Sequence, residues 1–465
     1  MAKTNDVRVW KIEPYKGKKA TTYTVKWVVA GERFRSRPYT SHAAADAFRS
    51  ELLTAHRNGE PFDTETGQPV SWARRDAARN WYDFACEFID KKWPHSSAHH
   101  RRNTAETLML VTLSLLKATP RHPTAARGAL RNYAFNATDR MTAPVDVAEQ
   151  LDWIREHSPN TDAWAAPGTV RRVMDDLSLK LDGGATAASS LYRHRAILYN
   201  ALGYAVEQEL LPKNPLDGFK LRSAKAKATS AVDKRSLLNP AQADAILTKL
   251  LKRRRNGVCL HAFFATLYYA GLRPEEAAQL HVEDLALPPA DAPDEWGELS
   301  FSNAAPEIAK QWNDTRVRRE TRGLKGRAEG ESRNVPVHPR LARILREYIA
   351  SPNPTRKTPA PPLKPGDRLF NGDRGGYIAD VTYRRALTDA REDALKPHEV
   401  TSLVGKTPYD FRHTCLTNWL NAGVPSAQVA LWAGNSVKIL LATYINCING
   451  SDDDYKRRIW AALPE

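Results

Sequence analysis

Hydrophobic and polar positions follow two different periods along the chain, and the change of period divides it. In residues 5–60, VRVWKIEP and TTYTVKWVVAGERFRSRPY alternate apolar with polar and are rich in Val, Tyr, Thr and Trp, with AGER as a turn. This predicts a three-stranded antiparallel sheet. SHAAADAFRSELLTAHRNG then spaces Ala44, Ala47, Phe48, Leu52 and Ala55 at helical intervals and stops at Asn58-Gly59. FDTETGQPVSW reads as a joint. From Trp72 to Leu216 the period is 3.6, in WARRDAARNWYDFACEFIDKKW, RNTAETLMLVTLSLLKA, PGTVRRVMDDLSLKLD and TAASSLYRHRAILYNALGYAVEQELL, which predicts a compact bundle. FKLRSAKAKATSAVDKRS has no apolar period and reads as a linker. The expected fold class is therefore multidomain and mainly α. It comprises a small N-terminal sheet-plus-helix module over 1–62, a helical bundle over 70–218, a linker over 219–236 and a mixed α+β domain over 237–465.

The last segment carries the candidate chemistry. NPAQADAILTKLLKRR opens with an N-cap Asn and a Pro at the first helical position. In LHAFFATLYYAGLRPEEAAQLHVEDL a helix breaks at Gly271, which sets Arg273 at the start of a second helix with Glu276 three residues on. LSFSN and SRNVPVHP read as strands, and VRRETRGLKGRAEGE between them as a long hairpin tip carrying Lys325. TPYDFRHTCLTNWLNAGV predicts a capped helix anchored by Phe411, Cys415 and Trp419, with Tyr409 and Arg412 one turn apart off that stripe. His413 follows Arg412, turned about 100° round the helix, which favours a structural role. VPSAQVALWAGNS and VKILLATYINCI then predict short helices that deliver Tyr444 to a helix end, just beyond Asn435.

Charge narrows the partners. The 465 residues hold 69 Lys and Arg against 53 Asp and Glu, a formal +16, which demands anionic partners, DNA or RNA first. Residues 1–60 contribute 12 − 6 = +6. Lys220, Arg222, Lys225 and Lys227 make the linker a basic strap suited to a phosphate backbone. Arg193, His194 and Arg195 lie mid-helix, where they either reach phosphates or form a solvated face. The cysteines Cys86, Cys259, Cys415 and Cys447 form no CxxC pair, and His95, His99 and His100 lack further ligands beside them, so neither a disulfide framework nor a metal site is expected. No apolar leader and no run of about 18 apolar residues occurs, so a cytoplasmic protein with no membrane contact is expected.

The ordered set GLRPEEAAQL, a hairpin lysine before SRNVPV, PYDFRHT, WAGNS and Tyr444 resembles the tyrosine recombinase family, the integrases of phages and mobile elements. The resemblance covers roughly residues 233–465, and the preceding order of modules agrees with it. It implies an arm-type DNA-binding module at 1–62, a core-binding domain at 70–218 and a catalytic domain at 237–465. In this reading Arg273 and Arg412 hold the scissile phosphate and Tyr444 attacks it, forming a 3′-phosphotyrosyl link. Lys325, with Arg327 as competitor, protonates the leaving 5′-oxygen, and Glu276 orients the site. No metal or other cofactor is implied. Tyr409 and Asn435 stand where the family more often has His and His or Trp; His413 is a supporting residue that either partly replaces the missing imidazole or, as its offset favours, is structural. The implied partners are double-stranded DNA attachment sites, three further copies in a homotetramer and a directionality factor, in a nucleoid-associated cytoplasmic protein. A non-catalytic DNA-binding regulator on a decayed recombinase scaffold is the alternative, with a type IB topoisomerase a third reading.

Overall fold

The computed structural model describes residues 2–17, 20–72, 79–180, 182–220, 231–325, 328, 330–352, 361–372, 375–444, 456–457 and 460–461. The chain divides into two units, Met1–Ala224 and Lys225–Glu465.

In the first unit, alternation produces the expected sheet. Val7–Val9, Lys26–Val29 and Glu32–Arg35 pair antiparallel with Lys26–Val29 in the centre. Val7, Trp27 and Val29 point inward and pack on Ala45, Leu52 and Ala55 of the His42–Arg57 helix. Ala45 takes the buried place that spacing gave to Ala44 and Ala47, which are exposed. The run TTYTVKWVV does not form one strand. It turns at the buried Val25, whose N–H donates to Ser36 Oγ at 3.0 Å, and Thr21–Thr24 pairs instead with Glu13–Lys16 as a separate hairpin. FDTETGQPVSW is not a spacer. Phe62–Asp63 pairs with Lys3–Thr4, Phe62 is fully buried, and the Trp72 ring lies 5.1 Å from Phe48.

The helices that follow are Trp81–Lys92, Ala98–Leu115, Pro123–Ala129, Val145–His157, Thr169–Leu177 and Ala188–Glu207. Pro123–Ala129 and Val145–His157 were not marked by the clearest apolar periods. The run beginning at Trp72 is not one helix: Asn80 accepts from the Tyr82 N–H at 2.9 Å and starts a helix at Trp81. Trp81 packs on Trp164 and Phe84 on Tyr204, at ring separations of 5.2 and 5.8 Å. His194 is buried, with Nδ1 2.8 Å from Thr107 Oγ1, so it packs the bundle while its neighbour Arg193 is exposed.

The second unit is built round Gly257–Tyr269, a helix buried on nearly every side because its sequence, GVCLHAFFATLYY, is apolar all round. Pro240–Leu251, Pro339–Ala350 and Pro408–Asn421 pack on it. The first of these carries the expected cap, Gln242 N–H donating to Asn239 Oδ1 at 2.9 Å and Asn239 N–H to Gln242 Oε1 at 3.0 Å. The insertion forms an antiparallel sheet with Gly297–Phe301 between Leu285–Ala286 and Arg333–Val337. Asn303–Ala304 and Arg322–Gly323 pair at the base of the long hairpin. A smaller apolar cluster joins Leu416 and Leu420 to Val429, Ala433, Leu440 and Tyr444, which fixes the helices Ser426–Ala433 and Val437–Tyr444 against Pro408–Asn421. Among the described residues, no helix is long and apolar enough to cross a membrane. Of the terminal segment, Ile459 and Leu463 lie outside the described residues, and Trp460 is exposed.

Candidate active site

Two glycines with left-handed backbone set the site's frame. Gly271, at φ 63°, ends the Gly257–Tyr269 helix and turns the chain so that Arg273 caps the short helix Pro274–Ala277. Gly434, at φ 60°, ends Ser426–Ala433 and exposes carbonyls toward the same point. Arg412 is 3% exposed and reaches both turns, donating from Nη1 to the Gly271 carbonyl and from Nη2 to Ala433 O at 2.7 Å.

The common partner of the site's cations is Glu276, 2% exposed. Its carboxylate accepts from the Arg273 N–H at 2.8 Å and from Arg273 Nη1 at 2.6 Å. Arg333 Nη1 and Nη2 donate to its two oxygens at 2.9 and 2.6 Å. Arg412 Nη1 lies 3.8 Å away. Burial opposes ionisation of Glu276, but Arg333, Arg273 and Arg412 outweigh it and hold the carboxyl at about 2. Burial and repulsion from Arg273 lower the pKa of Arg412. These four side chains sum to 3 − 1 = +2. The cluster is thus a fixed cationic centre with surplus charge for an anion.

Arg333 is the functional residue that the sequence reading passed over. It occupies an inward position of Arg333–Val337, in step with the buried Val335 and Val337, and is 1% exposed. Its guanidinium stacks over Phe301 at 4.7 Å. An arginine in phase with the apolar face of a strand was the available signal, because such a charge is buried only with a partner.

The remaining predicted residues gather round this centre. Asn435 Oδ1 accepts from Arg273 Nη2 at 2.6 Å, and Gly434 O accepts from the same nitrogen at 3.1 Å. A cleft of about 460 Å³ opens there, lined by Arg273, Lys325, Asn435 and Ser436 among others. The exposed hairpin thus brings Lys325 to the cleft that holds Arg273. Arg327 lies outside the described residues. Tyr409 donates its hydroxyl to Glu275, 2.9 Å from each oxygen. Burial first, then Glu275, raises its pKa.

Tyr444 is 1% exposed and does not line the cleft. It sits behind it, close enough to Arg412 for electrostatic interaction, with Oη 2.8 Å from His413 Nδ1. The two rings lie 5.6 Å apart. Burial and then Arg412 lower His413 to about 4, so its imidazole is neutral near pH 7, and in the tautomer protonated on Nε2 its Nδ1 accepts from the phenol. The offset of about 100° from Arg412 turns the His413 ring toward the Tyr444 helix.

Outside this cluster, Arg193 and Lys220 are exposed, while Arg195 is half-buried with Nη2 3.5 Å from Leu216 O. Arg222, Lys225 and Lys227 lie outside the described residues. Among the described residues, no group of three or more His, Cys, Asp or Glu is placed to hold a metal ion.

No family model and no curated protein matches the sequence. Solved structures similar to it include a Tn1549 transposon integrase in complex with a circular intermediate DNA, at 16% identity and TM-score 0.48, covering 72% of this chain and 99% of that one. A XerH site-specific recombinase bound to a difH substrate is 12% identical with TM-score 0.42, covering 78% and 96%. A lambda integrase dimer bound to a core site is 10% identical with TM-score 0.43, covering 97% and 96%. The chemistry assigned below stands on the site's own geometry.

Proposed function

We propose that this chain is a site-specific DNA recombinase of the tyrosine recombinase family, cutting and rejoining duplex DNA through a covalent phosphotyrosyl link. The observation that carries the reading is the convergence of Arg273 and Arg412 on the single carboxylate of Glu276, with Tyr444 within electrostatic reach of Arg412 and a lysine on the rim. Phosphoryl transfer builds negative charge on the equatorial oxygens, and two guanidiniums held by buried hydrogen bonds offer donors that need no reorganisation. The Tyr444 oxygen attacks phosphorus, the bond to the 5′-oxygen breaks, and Lys325 supplies the proton that this oxygen takes. The strand then remains joined by its 3′-phosphate to Tyr444 until a 5′-hydroxyl attacks in reverse. Arg273, Arg412 and Asn435 bind the phosphate, and Glu276 orients the arginines.

In this proposal the Met1–Ala224 unit and the basic linker bind DNA flanking the cut, four copies assemble on two attachment sites of a mobile element, and a directionality factor sets the sense of exchange. A DNA-binding regulator is the second reading. The commitment of the Tyr409 hydroxyl to Glu275 favours it, because this occupies the donor at a position where the family more often keeps a histidine.

A pool of nicked suicide duplexes with randomised cores decides between them. The expected result is a protein–DNA adduct that survives denaturing electrophoresis and disappears in Tyr444→Phe. Binding to the pool with no adduct from any member supports the regulator, and an adduct that persists in Tyr444→Phe overturns the nucleophile.

A further inference from the structure

The hydrogen bond between His413 and Tyr444 has no part in the chemistry assigned so far, and it joins a half-buried imidazole to the proposed nucleophile. A free phenol near its ordinary pKa of about 10 is a weak nucleophile at pH 7 and needs somewhere to send its proton. Tyr409 is no acceptor for it, because its hydroxyl donates to Glu275 and carries its own proton. Arg273 and Arg412 are cations that cannot accept one. Lys325 lines the cleft and is the proton donor to the 5′-oxygen in the proposed reaction. His413 Nδ1 lies 2.8 Å from Tyr444 Oη, at hydrogen-bond distance, and can accept in the tautomer protonated on Nε2.

We infer that His413 is the general base of the cleavage step, accepting the Tyr444 proton on Nδ1 as the phenol oxygen bonds to phosphorus. The inference rests on the recombinase reading above. The step balances: the O–P bond to Tyr444 forms, the P–O5′ bond breaks, the phenol proton passes to His413, and the 5′-oxygen takes a proton from Lys325. In rejoining, the 5′-hydroxyl attacks the phosphotyrosine and gives its proton back to the neutral Lys325 amine, the bond from phosphorus to Tyr444 breaks, and the His413 imidazolium returns its proton to the departing Tyr444 oxygen.

Two physical features make this exchange workable although the unliganded site disfavours an imidazolium. The phenol oxygen loses most of its basicity as it becomes an aryl phosphate oxygen, so the transfer turns downhill as the O–P bond forms. An incoming DNA phosphate also places negative charge against Arg412, whose positive charge is one of the two causes disfavouring the imidazolium. The base therefore gains strength when substrate is bound. Burial of the Tyr444 hydroxyl limits the access of water that would compete for its proton.

The test uses the full chain and a nicked duplex recovered as an adduct with the unmodified protein. Failure to recover any adduct would sink the recombinase reading itself, before this inference is reached. His413→Asn keeps an acceptor near the Nδ1 position without basicity. It is expected to slow single-turnover adduct formation about 10²- to 10⁴-fold while duplex affinity stays unchanged. Replacing Tyr444 by 3,5-difluorotyrosine, whose phenol is more acidic, is expected to recover about tenfold or more of that loss in the Asn variant and to change the unmodified protein far less. A His413→Asn protein that cleaves at the normal rate overturns the inference. One that cleaves faster also overturns it and makes the contact a latch on Tyr444. Equal effects of fluorination in both backgrounds would reduce His413 to packing.

Discussion

Arg333 and Glu276 meet fork to fork, with two hydrogen bonds of 2.9 and 2.6 Å between side chains that are each almost fully buried. The pair lies at the base of the site, and the same carboxylate then takes Arg273 from its other side. A buried carboxylate shared among three guanidiniums is costly to desolvate, but removing it leaves buried cations without compensation. Glu276 therefore couples the integrity of the fold to the placement of Arg273 and Arg412.

Glu276→Gln should lower unfolding free energy at pH 7 by about 3–5 kcal/mol, read from denaturant titrations. The folded carboxyl at about 2 lies below its ordinary 4.5, so its stabilisation is present above pH 4.5 and is lost as pH falls toward 2. The gap between Glu276→Gln and the unmodified protein should close over that window. A gap that stays constant from pH 5 to pH 2 would show that the charge of Glu276 is not what stabilises the cluster.

Arg333→Lys keeps the charge but loses the fork, since one ammonium cannot span both carboxylate oxygens in the same plane. Adduct formation is expected to fall about 10- to 100-fold through misplacement of Arg273, with duplex affinity changed little. Single-turnover rates and equilibrium binding on the same nicked duplex separate the two effects.

Gly434→Ala should disturb the site from the backbone. The position has φ 60°, and a Cβ there collides with Nη1 of Arg333. A cost of about 1–3 kcal/mol in stability is expected, with loss of adduct formation. Gly366→Ala, also at positive φ but with nothing near its Cβ, should cost stability without touching adduct formation.

Tyr409→Phe removes a hydroxyl that is spent on Glu275. The expected loss in adduct formation is below about tenfold, against about 10²- to 10³-fold for removing a donor aimed at the transition state. A loss of the larger size would mean that Tyr409 turns from Glu275 to the phosphate when DNA binds.

Duplex binding should weaken steeply with salt, because contacts to phosphates release counterions. Arg193→Ala, at an exposed position of Ala188–Glu207, should reduce the slope of log K against log salt by about one if that side chain meets a phosphate. An unchanged slope would make Arg193 part of a solvated face.

The sequence by itself determined what short-range physics can write. Asn239 with Gln242 and Thr407 with Asp410 marked helix starts that the structure forms, since a cap needs only neighbouring residues. Apolar period marked most of the helices, and the order of Arg273, Lys325, Arg412, Asn435 and Tyr444 marked the candidate site. Tertiary structure decided everything that depends on side chains distant in sequence. The break at Val25 follows from Ser36, and the burial of Phe62 from the pairing of its strand with Lys3–Thr4. Arg333 became part of the site because its strand runs beneath the Gly434 turn and meets Glu276, 57 positions away. His413 stands beside Tyr444 because helix phase gives only a direction, while the packing of Val437–Tyr444 on Pro408–Asn421 determines what it meets.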